Sequence, residues 1–146
     1  MCALLISTCG SADNVNMNSV YLKYNNFDSL DPSKLEQLVN LGKDIEEDVL
    51  GQLITIHKET SDLILVQMHE LIAFKNFEEI KRCAHKFKSS SANLGLMRLN
   101  QLCSDFETYL SKSESIDQVA VTEFVEGIQY EYDQTNQKLN SYQKAA

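Results

Sequence analysis

The stretch FEEIKRCAHKFKSSSANLG, residues 77–95, carries a clear helical pattern. Its apolar and small residues recur at intervals of three and four: Phe77, Ile80, Ala84, Phe87, Ser91 and Leu94. This spacing places them along one face of an α-helix, which turns by about 100° per residue. We predict a helix that begins near Asn76, packs this face into a core and closes at Gly95, where glycine permits a tight turn.

The same period predicts further helices on both sides of this stretch. Asp31 followed by Pro32 marks a helix start, since aspartate caps a helix and proline fits its first turn. Gly42 is expected to end that helix or to break it. The other predicted helices span about 44–74, 96–110 and 117–142. No stretch alternates over strand lengths, so the predicted fold class is all-α: an antiparallel up-down four-helix bundle with an additional N-terminal helix.

The helix predicted over 44–74 has an acidic start and a long apolar face. Four acidic residues are expected in its first turn, where the helix dipole favours negative charge: Asp44, Glu46, Glu47 and Asp48. Further along, its core face is expected to contain Leu63, Ile64, Met68, Leu71 and Ile72.

Length and composition are those of one globular domain. The chain has 146 residues, of which 43% are hydrophobic and 23% charged, enough for one domain with a core of its own. Residues 1–30 are rich in asparagine, serine and aspartate and show no sustained period. We therefore expect an irregular or weakly ordered segment over 1–30 and the folded domain over 31–146.

The charge and cysteine patterns exclude several classes of function. The formal net charge is −8, which argues against nucleic acid and against an anionic membrane surface as partners. No apolar run approaches the length of a membrane-spanning helix. The cysteines fit no zinc-binding spacing, so we expect no metal site and small buried thiols in a reducing compartment. They are Cys2, Cys9, Cys83 and Cys103.

His85 does not share the apolar face of the quoted helix. It falls roughly 130° from the centre of that face, so we expect it on the solvent side. Cations are concentrated around it in an otherwise acidic chain: Lys81, Arg82, Lys86 and Lys88. Such cations would stabilise a phosphoryl group on the imidazole. From these residues alone, a solvated helix face with a chance histidine remains the alternative.

The order of residues from Ala84 to Gly95 resembles the signature of histidine-containing phosphotransfer (HPt) domains. That signature is histidine, any residue, an apolar residue, lysine, glycine, a pair of small or hydroxyl residues, and Leu-Gly after a short gap. The matching positions are His85, Phe87, Lys88, Ser90, Ser91, Leu94 and Gly95. Ser89 departs from the pattern, because the family usually has glycine there, which lets a partner's backbone come close. The resemblance covers roughly residues 31–142.

This resemblance implies a phosphoryl carrier rather than an ATP-dependent kinase. His85 would accept a phosphoryl group from the receiver domain of a hybrid sensor histidine kinase and pass it to a response-regulator receiver, with Lys88 stabilising it. The residues that would contact these partners are Lys81, Arg82, Lys86, Ser89 and Ala92. The partner receiver would supply the divalent metal, magnesium, so the chain itself needs no cofactor. We expect a monomer in the cytoplasm, and also in the nucleus if the source is eukaryotic.

The chain folding back at Leu94 and Gly95 would bring the next helix level with His85. Glu107 or Thr108 is then placed to orient the imidazole.

Three alternatives stay open. The chain could be a non-catalytic adaptor that binds receiver domains or kinases without accepting phosphate. A metal-dependent bundle enzyme needs Glu-x-x-His pairs, and no histidine of this chain has glutamate three residues before it. We expect His57 at the surface and His69 at a boundary. The last helix could also mediate dimerisation through its tyrosines, although such aromatics are more often core or edge residues: Tyr130, Tyr132 and Tyr142.

Overall fold

Five α-helices account for most of the chain that the structure describes. The computed structural model describes residues 24, 28–112 and 114–145, with side chains up to residue 141. The helices are α1 Pro32–Ile45, α2 Val49–Ala73, α3 Phe77–Asn93, α4 Met97–Lys112 and α5 Gln118–Ala145. Consecutive helices are joined by short connections, α3 packs against α2 and α4, and α5 closes the bundle against both α2 and α4. The helix α1 packs on α2, which confirms the all-α bundle with an additional N-terminal helix.

The core fills the space between α2, α3, α4 and α5. The predicted face of α3 is buried at Ile80, Ala84 and Phe87. Ser91 is also buried, and its hydroxyl donates to the carbonyl of Phe87 at 2.8 Å, which removes the cost of placing a hydroxyl there. The helices α4 and α5 contribute further buried residues: Leu99, Leu102, Cys103, Phe106, Val125 and Ile128.

The ends of α3 form as the sequence predicts. The side chain of Asn76 caps the helix by accepting from the backbone N–H of Glu79. Gly95 has φ +69, a left-handed conformation that glycine adopts without strain. Its carbonyl accepts from the N–H of Asp31 at 2.9 Å. The turn after α3 is therefore fixed against the start of α1.

The boundary between α1 and α2 lies later than predicted. The helix α1 passes through Gly42 and ends where Glu46 takes a left-handed conformation, with φ 59. Asp48 caps α2 by accepting from the N–H of Gly51 at 2.9 Å. A side chain at Gly42 would collide with the carbonyl of Glu47, so this glycine permits a close approach instead of ending the helix. The four acidic residues expected in the first turn of the second helix lie instead at the end of α1, in the turn that follows it and at the N-cap of α2.

Two further expectations concern the second helix and the N-terminal segment. Leu63, expected in the core, is 69% exposed. Of residues 1–30, the structure describes Tyr24 and 28–30, and the expectation for the rest lies outside the described residues. Tyr24 is buried, and its hydroxyl donates to the carboxylate of Asp105 at 2.5 Å. No helix within the described ranges is long and apolar enough to cross a membrane.

Candidate functional site

His85 projects from the middle of α3 into solvent. Its side chain is 60% exposed, although the adjacent Ala84 and the nearby Phe87 are fully buried. These two residues anchor the helix in the core and fix its rotation. The imidazole is therefore accessible to another protein without any rearrangement of the bundle.

The carboxylate of Glu107 on α4 contacts both His85 and Lys88. Its Oε2 lies 2.9 Å from Nδ1 of His85, and its Oε1 lies 2.8 Å from Nζ of Lys88. A carboxylate only accepts hydrogen bonds, so this bond requires a proton on Nδ1. A neutral imidazole then keeps its lone pair on Nε2. The contact leaves Nε2 as the nucleophilic nitrogen.

The register of α3 against α4 brings these three side chains together. His85 and Lys88 are three residues apart and so share one face of α3. The side-chain amide of Asn100 donates to the carbonyl of Lys88 at 2.9 Å. This bond ties α4 to the backbone of α3 at Lys88 and helps to hold the register of the two helices.

Glu107 is a charged group at neutral pH. Partial burial acts to raise its pKa, but the hydrogen bonds from Lys88 and His85 outweigh burial and lower the pKa below its usual range. The carboxylate therefore presents a full negative charge to both neighbours.

Two further cations of α3 pair with glutamates of the same helix. Lys81 lies 3.6 Å from Glu78, and Arg82 lies 2.6 Å from Glu79, each pair three residues apart. This local pairing was not anticipated, although the spacing is visible in the sequence. The other predicted contact positions, Lys86, Ser89 and Ala92, are exposed.

Thr108 does not take part in the arrangement around the imidazole. It is exposed on α4, and no hydrogen bond joins it to His85 within the described part of the chain. Of the two positions expected to reach the imidazole, only Glu107 contacts it.

The prediction that His57 lies at the surface is wrong. Its side chain is 2% exposed, and its Nδ1 lies 2.6 Å from the hydroxyl of Ser90 on α3. The rings of Phe87 and Tyr132 meet it edge to face. Burial lowers the pKa of His57 to about 4, so this histidine is neutral at physiological pH.

The phase of His57 in the sequence was the signal that could have placed it correctly. It is three residues after Ile54 and four before Ser61, both of which are buried on the same face of α2. His69, expected at a boundary, is exposed.

The tyrosines of α5 divide between core and surface. Tyr132 is buried and donates to the carboxylate of Asp62 at 2.7 Å, whereas Tyr130 is 37% exposed. The side chain of Tyr142 lies outside the described residues.

Cys83 and Cys103 are buried, and burial raises the pKa of both thiols. Cys2 and Cys9 also lie outside the described residues. Within the described ranges, no group of three or more His, Cys, Asp or Glu side chains is placed to hold a metal ion.

One family model and two solved structures are similar to this chain. The family model of the Hpt domain matches residues 52–138. The fold is similar to that of a histidine-containing phosphotransfer protein from rice, with a TM-score of 0.68 at 15% identity over 91% of this chain and 94% of that chain. A histidine-containing phosphotransfer protein from Medicago truncatula gives a TM-score of 0.67 at 23% identity over 89% of each chain. A search of curated proteins found no match.

Proposed function

Since this chain belongs to the Hpt domain family and has a phosphotransfer function in phosphorelays, we propose that Nε2 of His85 carries the phosphoryl group. The observation that carries this assignment is the contact between Glu107 and Nδ1, which leaves the lone pair on Nε2 of a 60% exposed side chain. His57 is buried and so is not accessible to a partner domain. Exposed His69 lacks the lysine and serine pattern that surrounds His85.

In this mechanism His85 attacks an acyl phosphate on a receiver domain. The lone pair of Nε2 forms a bond to phosphorus while the bond to the aspartate oxygen breaks, and the aspartate leaves as a carboxylate. The ring retains its Nδ1 proton and becomes a cation facing Glu107. The reverse reaction on a second receiver returns the electron pair to Nε2. The receiver supplies the divalent metal, and this chain supplies position and a nitrogen acceptor.

Lys88 is the second proposed functional group of the site. Its ammonium lies on the same face of α3 as His85 and can donate hydrogen bonds to phosphoryl oxygens. Proteins of this family interact with receiver domains. We assign the docking surface to the exposed face around His85, formed by Lys81, Arg82, Lys86, Ser89 and Ala92.

Ser89 stands where a glycine would allow the closest approach of a partner. Its hydroxyl can donate to a phosphoryl oxygen, which offsets part of the lost space. We further propose that the protein acts in the cytoplasm, and also in the nucleus of a eukaryotic cell, as a monomer that meets donor and acceptor receivers in turn.

The experiment is transfer of radioactive phosphate from a phosphorylated receiver domain to the purified protein. We expect wild-type protein to become labelled, with a label that is labile in acid and stable in base. His85→Gln should take up no label while keeping its helical content by circular dichroism. His69→Gln, which removes another exposed histidine, is the matched control and should be labelled like wild type.

Two outcomes would contradict the assignment. Labelling of His85→Gln at the wild-type level would place the phosphoryl group elsewhere. Binding of the receiver by wild-type protein without any labelling would favour the non-catalytic adaptor.

A further inference from the structure

Glu107 contacts the proposed phosphoacceptor His85 at its other ring nitrogen and also holds the cation that a phosphoryl group on Nε2 would use. One carboxylate oxygen holds the proton of Nδ1 at 2.9 Å, and the other holds the ammonium of Lys88 at 2.8 Å. Lys88 is thus engaged by a carboxylate before any phosphoryl group arrives. A phosphoryl group on Nε2 would compete with Glu107 for this cation.

Glu107 also places a negative carboxylate near the position of a negative phosphoryl group on Nε2. Nδ1 and Nε2 are separated by a single carbon of one ring, so a phosphoryl group on Nε2 lies close to the carboxylate. At about 6 Å, repulsion between a unit charge and a doubly charged phosphoryl group in a solvated site changes an equilibrium constant by roughly tenfold. This repulsion disfavours the phosphorylated state, and the attraction between the carboxylate and the protonated ring offsets part of it.

The proton on Nδ1 further promotes release. When the bond between Nε2 and phosphorus breaks, its electron pair stays on the ring. With Nδ1 protonated, the ring leaves as neutral imidazole, whereas without that proton it would leave as an imidazolate anion, which is a far poorer leaving group. The carboxylate of Glu107 stabilises the protonated, cationic ring while the phosphoryl group is attached.

We propose that Glu107 makes His85 a carrier that passes its phosphoryl group on readily instead of storing it, by holding the Nδ1 proton and by competing for Lys88. This inference rests on the proposed role of His85 as phosphoacceptor. Glu107 acts here as a positioning and electrostatic residue, since the bonds that form and break lie on His85 and on the receiver.

The substitution Glu107→Gln tests the inference with little change in shape. The amide oxygen can still accept from Nδ1, but the negative charge is gone and Lys88 is free to bind the phosphoryl oxygens. We expect the phosphohistidine half-life to lengthen and the equilibrium with a receiver to shift toward this chain, each by up to about tenfold. Glu70→Gln removes a charge from an exposed glutamate of α2, away from the docking surface, and this control should change neither quantity.

A double-mutant cycle isolates the contribution of Lys88. Lys88→Ala should shorten the half-life much more in the Glu107→Gln background than in the wild-type background, because only there is the ammonium free. A half-life in Glu107→Gln that is equal to or shorter than that of wild type would overturn the inference, as would an additive cycle. Failure of the phosphoacceptor assignment gives a different result, which is wild-type protein without label or His85→Gln with it.

Discussion

His57 makes the stability of the bundle depend on pH over a defined range. The imidazole is packed between α2, α3 and α5, against Ser90 and the rings of Phe87 and Tyr132. Its Nε2 is buried and has no hydrogen-bond partner among the residues that the structure describes. Burial lowers the pKa from 6.5 to about 4, and this effect exceeds the opposing attraction of Asp62. The folded protein therefore holds His57 neutral over a range in which the unfolded chain protonates it.

The sign and size of the effect follow from this difference in pKa. Above the unfolded value of 6.5 both states are neutral at His57, and the full stability is present. As the pH falls from 6.5 toward 4, only the unfolded chain gains the proton, so the free energy of unfolding decreases. A difference of about 2.5 pKa units corresponds to a loss of about 3 kcal/mol. Below about pH 4 the contribution no longer changes, since both states are protonated.

Urea denaturation followed by circular dichroism at a series of pH values measures this loss. Other groups titrate over the same range, so the quantity of interest is the difference between wild type and His57→Gln, whose amide does not titrate. We expect this difference to change by about 3 kcal/mol between about pH 7 and pH 4, in the direction of wild-type destabilisation. His69→Gln, which removes an exposed histidine from the same helix, is the control for the loss of a histidine. Parallel pH curves for wild type and His57→Gln would refute the reasoning.

Two further substitutions test the turn and the docking face. Gly95→Ala should destabilise the fold by about 1–3 kcal/mol, because alanine is strained at positive φ and its Cβ would lie 2.9 Å from Cβ of Lys34. A change in the urea midpoint too small to resolve would show that the turn does not require glycine. Ser89→Gly should speed phosphoryl transfer from a receiver by opening the approach to His85, and should lower the stability of α3 by roughly 0.5 kcal/mol. Single-turnover transfer rates equal to or below that of wild type would show that Ser89 does not obstruct the partner.

The parts of the fold that depend on local chemistry could be predicted from the sequence. The face of α3, its cap at Asn76 and the turn at Gly95 depend on helical period and on residues within one turn of each other. The pairs of Lys81 and Arg82 with glutamates of the same helix are local in the same way, and attention to spacing would have found them.

The features that were missed depend on contacts between distant parts of the chain. The helical phase of His57 indicates the buried face of α2, but its hydrogen-bond partner Ser90 lies 33 residues away and is brought to it only by the fold. The sequence predicts that Gly42 ends or breaks a helix. Its close approach to the carbonyl of Glu47 exists only in the folded turn, so the sequence does not reveal it. The turn at Leu94 and Gly95 predicts that α4 runs level with His85. Whether Glu107 or Thr108 reaches the imidazole depends on the rotation of α4 about its own axis, and core packing sets that rotation.

The most direct test of the central claim is phosphorus NMR of the phosphorylated wild-type protein with isotope-labelled imidazole nitrogens. We expect one phosphoryl group, coupled to Nε2 of His85, while Nδ1 keeps its proton. A phosphoryl group on a hydroxyl of residues 89–91, on another histidine or on Nδ1 of His85 would contradict it.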